Sequence, residues 1–258
     1  MMRIWTGGDL PPALSPDPPG GPIGAGQIHA WWLTPPSEDQ VESLDSFTNL
    51  TSAAERQRAA RFHFPADRWS YIAAQALLRW ALAQSLKSAA NEIEFDRTPR
   101  GRPFLRNPAK GPFFSLSHAR GMVACALAAE AGIGVDVEDP SRKQKDGELA
   151  RHYFDAAEAA HLEQLPSDLK ARDFFLQWTV KEAFLKAIGT GMHEPLDTLS
   201  VVPRDGALHC RFTRPFPGQA DRWGFWAAEP ICGFHMALAV RSAFRPVLRL
   251  GRAPRLWQ

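Results

Sequence analysis

Two stretches about forty residues apart decide how this chain reads: Gly134-Val135-Asp136-Val137-Glu138 and Trp178-Thr179-Val180-Lys181-Glu182-Ala183-Phe184-Leu185-Lys186. The first reads as a strand, in which residues two apart share a face. Asp136 and Glu138 therefore converge on one side, while Val135 and Val137 turn the other way into a core. The second reads as a helix. Its Trp178, Glu182 and Lys186 stand at i, i+4 and i+8, on one face. Two neighbouring carboxylates repel unless a cation, a proton or water relieves them. Glu182 can add a third oxygen ligand for a hard divalent ion. Mg²⁺ takes oxygen ligands in octahedral geometry, keeps waters and bridges substrate phosphates, and Mn²⁺ accepts the same set. The lysines of the helix, Lys181 and Lys186, would bring ammonium groups beside that ion. Lys186 can neutralise charge developing on a phosphate. Each part alone has a plainer account: polar alternation on an exposed strand face, a surface ion pair between Glu182 and Lys186, core packing for Trp178. The combination points to chemistry on a phosphate.

Around these stretches the chain reads as an ordinary globular protein. Its 258 residues are 45% hydrophobic and 22% charged, with a net charge of +2. That near-neutral balance gives no electrostatic case for a nucleic-acid partner. Three isolated cysteines, Cys125, Cys210 and Cys232, lack metal-type spacing and suggest a reduced, cytoplasmic setting. No apolar run approaches the roughly 20 residues that span a bilayer, and no secretory leader is evident.

Residues 1–26 are rich in Pro and Gly and are expected to be flexible. A strand is predicted over 28–33, then a helix capped by Ser37. Further helices are predicted over 53–63 and from Asp67 to about Leu86. Strands follow at 113–117, 122–127 and 133–137, then helices at 148–154, 156–165 and 169–188, the last stopped by Gly189. Later strands are expected at 199–202, 208–212, 223–228 and 234–240, with an Asp205-Gly206 hairpin turn. The order suggests an α+β fold of two pseudo-symmetric halves, 27–131 and 132–258. Each would pack a long helix on a small, mainly antiparallel sheet. The Arg-rich tail is expected to be a solvated extension.

Upstream, Phe113-Phe114-Ser115-Leu116-Ser117-His118 ends a strand in a Ser-His pair. Adjacent strand residues face opposite ways, so Ser117 and His118 make a poor nucleophile and base, and a G-x-S-x-G elbow is absent. His118 at a strand end can donate to a phosphate, although taken alone a structural hydrogen bond is the better account of it. Gly101-Arg102-Pro103 presents a guanidinium on a turn. Arg56, Arg58 and Arg61 form a basic helix face suited to phosphate, or to solvent.

The ordered series G-R-P, F-S-L-S-H, G-V-D-V-E and W-T-V-K-E-A-F-L-K-A-I-G resembles the Sfp-like 4′-phosphopantetheinyl transferases, from about Arg56 to Val240. The resemblance implies transfer of 4′-phosphopantetheine from coenzyme A to a serine of an apo acyl or peptidyl carrier protein. Adenosine 3′,5′-bisphosphate would be released. It implies Asp136, Glu138 and Glu182 around Mg²⁺, Lys186 on phosphate, and Ser117 and His118 along the nucleotide. Arg102 would lie at the adenine end and Arg58 at the 3′-phosphate. Glu182 is the candidate base, directly or through water. Ser115 and Ala119 stand where many members carry Asn and Ser or Thr. Two internal halves favour a monomer. Two other readings are another Mg²⁺-dependent phosphoryl or phosphodiester enzyme, such as a nuclease, and a silent coenzyme A-binding module.

Overall fold

The computed structural model describes residues 2–7, 13–15, 19–37, 39–41, 43–107, 111–141, 146–204, 207–216, 222–243 and 246–257. In chain order they form β1 (Met2–Gly7), β2 (Ala13–Leu14), β3 (Gln27–Leu33), α1 (Ala53–Ala60), α2 (Pro65–Leu86), β4 (Phe95–Arg97), β5 (Pro103–Leu105), β6 (Phe113–Ala119), β7 (Met122–Ala128), β8 (Ile133–Glu138), α3 (Asp146–Tyr153), α4 (Ala156–Gln164), α5 (Ser167–Ile188), β9 (Leu199–Arg204), β10 (Ala207–Phe212), β11 (Arg222–Ala228), β12 (His235–Ser242) and β13 (Val247–Arg252). They divide between two compact units. The β8 unit comprises Met1–Ala13 and Ala131–Pro246, and the β3 unit comprises Leu14–Glu130 and Val247–Gln258. No helix among the described residues is long and apolar enough to cross a membrane.

In the β3 unit, a five-stranded sheet runs β2-β13-β3-β7-β6. β13 is parallel to β3, while β7 is antiparallel to both β3 and β6. Helix α2 packs on β7 and β6. Pro65 opens it, where a missing N–H goes unneeded. Its buried Ile72, Ala73, Ala76, Leu77 and Ala81 face the core, and the alanines let the helix sit close to β7, which is buried throughout. Arg79 ties α1 to α2. It pairs with Glu55 at 2.8 Å and donates to the carbonyls of Ala90 and Ile93.

In the β8 unit, an antiparallel sheet runs β1-β11-β12-β8, beside a β9–β10 hairpin. Helix α5 packs on β8 and β12 and ends at Gly189, whose φ of 72° is costly for other residues. Gly134 sets the strand-to-helix distance. A Cβ there would stand 1.9 Å from the Ala183 carbonyl oxygen and 2.6 Å from the Ala187 nitrogen. The helix backbone thus lies directly on the strand at this point. Gly134→Ala is expected to cost about 3 kcal/mol or more, read as a lowered urea midpoint. A midpoint equal to the parent's would show that α5 is free to move away.

Both units thus set a 22-residue helix on a mainly antiparallel sheet, the α+β class expected. Three local expectations differ. The Pro/Gly-rich head supplies β1, paired with β11, and β2. The Arg-rich tail is no solvated extension: it supplies β13 and buries Leu248, Ala253 and Leu256. Where a Ser37-capped α-helix is expected, the described residues show a 3₁₀ turn at Leu44–Phe47, capped by Ser43. The Asp205-Gly206 turn lies outside the described residues.

Candidate functional site

The β8–α5 contact builds the site. Gly134, Asp136 and Glu138 share one face of β8, and Gly134 meets α5 at Ala183 and Ala187. Asp136 follows on that face, while Glu182 and Lys186 immediately precede those two alanines on the helix. Asp136 is 5% exposed, and Lys186 Nζ donates to its Oδ1 at 2.7 Å. Glu182 is half-buried. Burial pushes its carboxyl above the ordinary carboxylate range, the negative charge of Asp136 adds to that, and Lys186 pulls the other way. Val135 and Val137, on the opposite face, are buried as expected.

Among the described residues, no three His, Cys, Asp or Glu side chains are gathered closely enough to cage an ion. The donor set nonetheless suits a hard cation: all-oxygen ligands, a buried carboxylate, and a second carboxylate that burial first, and the Asp136 charge second, make readier to hold a proton. A cation here would relieve that repulsion, as the Lys186 ammonium does in part.

The helix's two lysines part company. Lys181 is not beside Asp136. It is fully buried and pairs with the equally buried Glu158 at 2.8 Å. It also donates to the carbonyls of Leu196 and Leu199, with its ammonium 4.8 Å from the centre of the Phe154 ring. Burial pushes Glu158 up and Lys181 down, and each resists the shift of the other. Glu158 also accepts the Val201 N–H. Sequence reasoning missed this anchor. Trp178 packs among Tyr153, Phe154 and Phe174, in the core role its spacing allowed.

Arg58, Arg102, Ser117 and His118 all belong to the β3 unit. Arg58 closes α1 with its guanidinium 5.2 Å from the Tyr71 ring centre. Arg102 follows Gly101, whose φ of 82° suits glycine. Its N–H donates to Thr98 Oγ1, and burial lowers the affinity of its guanidinium for a proton. Ser117 is buried and His118 exposed, the alternation that separates them as a catalytic pair.

Comparison with known proteins now adds to this geometry. Residues 132–227 match the 4′-phosphopantetheinyl transferase superfamily, and residues 34–131 match the N-terminal domain described for 4′-phosphopantetheinyl transferases. The chain is 33% identical over 179 residues to the 4′-phosphopantetheinyl transferase HetI of Nostoc, covering 69% of this chain and 75% of that protein. It is 27% identical over 168 residues to the 4′-phosphopantetheinyl transferase Sfp of Bacillus subtilis, covering 65% and 73% respectively. The chain belongs to the 4′-phosphopantetheinyl transferase superfamily.

Proposed function

We infer that this chain transfers the 4′-phosphopantetheine group of coenzyme A to a serine hydroxyl of an apo acyl or peptidyl carrier protein, releasing adenosine 3′,5′-bisphosphate. Beside its family membership, the observation that carries this reading is the Asp136–Lys186 pair under the half-buried Glu182. It joins an acid cluster to an ammonium group at one point.

The serine oxygen attacks the β-phosphorus in line, and the bond to the bridging oxygen breaks. Glu182 accepts the serine proton, directly or through a water. Its raised affinity for a proton makes it a stronger base than an exposed carboxylate. Lys186 stabilises the charge left on the departing phosphate. Asp136, Glu138 and Glu182 would hold Mg²⁺ or Mn²⁺, which when bound supplies positive charge to the pyrophosphate. Arg58 and Arg102 bind the nucleotide end through guanidinium forks, and Ser117 and His118 line its phosphates.

The test is mass spectrometry of a panel of apo carrier proteins incubated with coenzyme A and Mg²⁺. The expected result is a phosphopantetheine mass gain on one serine, abolished by chelator. Asp136→Ala is expected to lower turnover by about 10²–10³-fold and to raise the Mg²⁺ concentration needed for half-maximal rate. Parent-like turnover and Mg²⁺ dependence would remove Asp136 from the site. Protection from thermal unfolding by an oligonucleotide but not by coenzyme A would move the activity to nucleic acid.

A further inference from the structure

The Arg-rich tail does more than complete a sheet. At the end of β13 it lines a second concavity, within the β3 unit, whose lining includes no residue assigned to the transfer. The pocket has a volume of about 410 Å³ and is walled by Thr34, Pro35, Gln40, Arg252, Arg255 and Trp257, among others. That volume falls in the range of small-molecule sites, about 300–1,000 Å³.

Its walls are fixed by the core. The Ala253 N–H donates to the Trp32 carbonyl at 2.8 Å, and Ala253 and Leu256 are buried. Trp257 packs against the buried Phe47, with ring centres 6.3 Å apart. The Arg252 guanidinium rests 5.3 Å from the Trp32 ring centre. Pro35 and Pro254 restrict the two backbone segments that flank the opening. A site held this way loses little conformational freedom on binding.

Its charge is uncompensated. Among the described residues, neither Arg252 nor Arg255 forms an ion pair with a carboxylate. The pairs Arg79 with Glu55 and Arg172 with Glu229 show the kind of partner these two lack. Two arginines lining one hollow place like charges at its wall, and a phosphoryl group can accept bidentate hydrogen bonds from guanidinium forks. Trp257 supplies an apolar, planar wall next to them.

We propose that this pocket binds a small organic phosphate, its phosphoryl group between Arg252 and Arg255 and its planar or apolar body against Trp257. The experiment is calorimetric titration of phenyl phosphate, and separately of inorganic phosphate, into the full chain saturated with coenzyme A, which blocks the transfer site. Saturable binding of phenyl phosphate is expected, tighter than that of inorganic phosphate. It should weaken about tenfold or more in Arg252→Gln/Arg255→Gln, with carrier-protein turnover unchanged. The single variant Arg255→Gln, which removes an exposed side chain, gives the same reading if the double variant folds poorly. Parent-like phenyl phosphate affinity in Arg255→Gln and in the double variant would overturn the site. Equal affinities for the two phosphates would overturn the organic ligand. Because no transfer residue is altered, a chain that fails to modify any carrier yet loses phenyl phosphate binding in these variants would sink the transferase reading and keep this one.

Discussion

Glu182→Gln is expected to lower the rate of carrier-protein modification by about 10²–10⁴-fold and, in metal-free buffer at neutral pH, to raise the unfolding temperature. Both effects come from one placement. Glu182 sits half-buried near the negative charge of Asp136, and its carboxyl holds a proton more tightly than it would in the unfolded chain. Between the ordinary carboxylate value and that raised value, the folded chain binds more protons than the unfolded one. Stability therefore falls as pH rises through this window and stays lower above it. Glutamine carries no charge to desolvate, so the penalty disappears along with the base. Rapid-quench turnover and calorimetric melting, each measured with and without chelator, check the two halves. A variant that is inactive but less stable than the parent would mean that Glu182 is a structural partner rather than a strained base.

Glu158→Ala is expected to cost about 3–5 kcal/mol, the largest loss of stability from any single change considered. It strands the Lys181 ammonium in a site with no solvent access, beside the carbonyls of Leu196 and Leu199 and the ring of Phe154, with no directly paired carboxylate and only the weaker pull of Asp155. The double variant Glu158→Gln/Lys181→Met should recover most of that loss. It removes both charges, and the glutamine oxygen still accepts the Val201 N–H. Urea midpoints of the parent, the single and the double variant decide the matter. A double variant no better than the single would show that the charges themselves are not what the interior responds to. This anchor also fixes the rotation of α5 about its axis. With Lys181 held toward β9, the neighbouring Glu182 is left facing β8.

The sequence makes some of this legible and hides the rest for physical reasons. Strand alternation over 133–138 and helical spacing over 178–186 are local signals, and they place Asp136 and Lys186 where the two meet at 2.7 Å. The partner of Lys181 is not local. Nothing in the spacing of Lys181 and Lys186 tells which ammonium is solvated, because that depends on Glu158 arriving from another helix. Gly134 carried a readable hint, since an isolated glycine within a strand often marks a close backbone approach. The strand at 247–252 gives almost no signal. Arg249, Gly251 and Arg252 resemble a solvated tail, and the strand exists only because β3 offers it an edge. The nucleotide-side roles proposed for Arg58, Arg102, Ser117 and His118 rest on family resemblance, not on periodicity.

That late strand has a consequence for how the protein is made. A ribosome releases residues 14–130 well before Val247–Arg252, yet β13 hydrogen-bonds along β3 for its whole length. Throughout synthesis of the intervening segment, the nascent first sheet carries an open edge. It closes only once β13 has itself emerged, which makes the growing chain a natural client for holding chaperones.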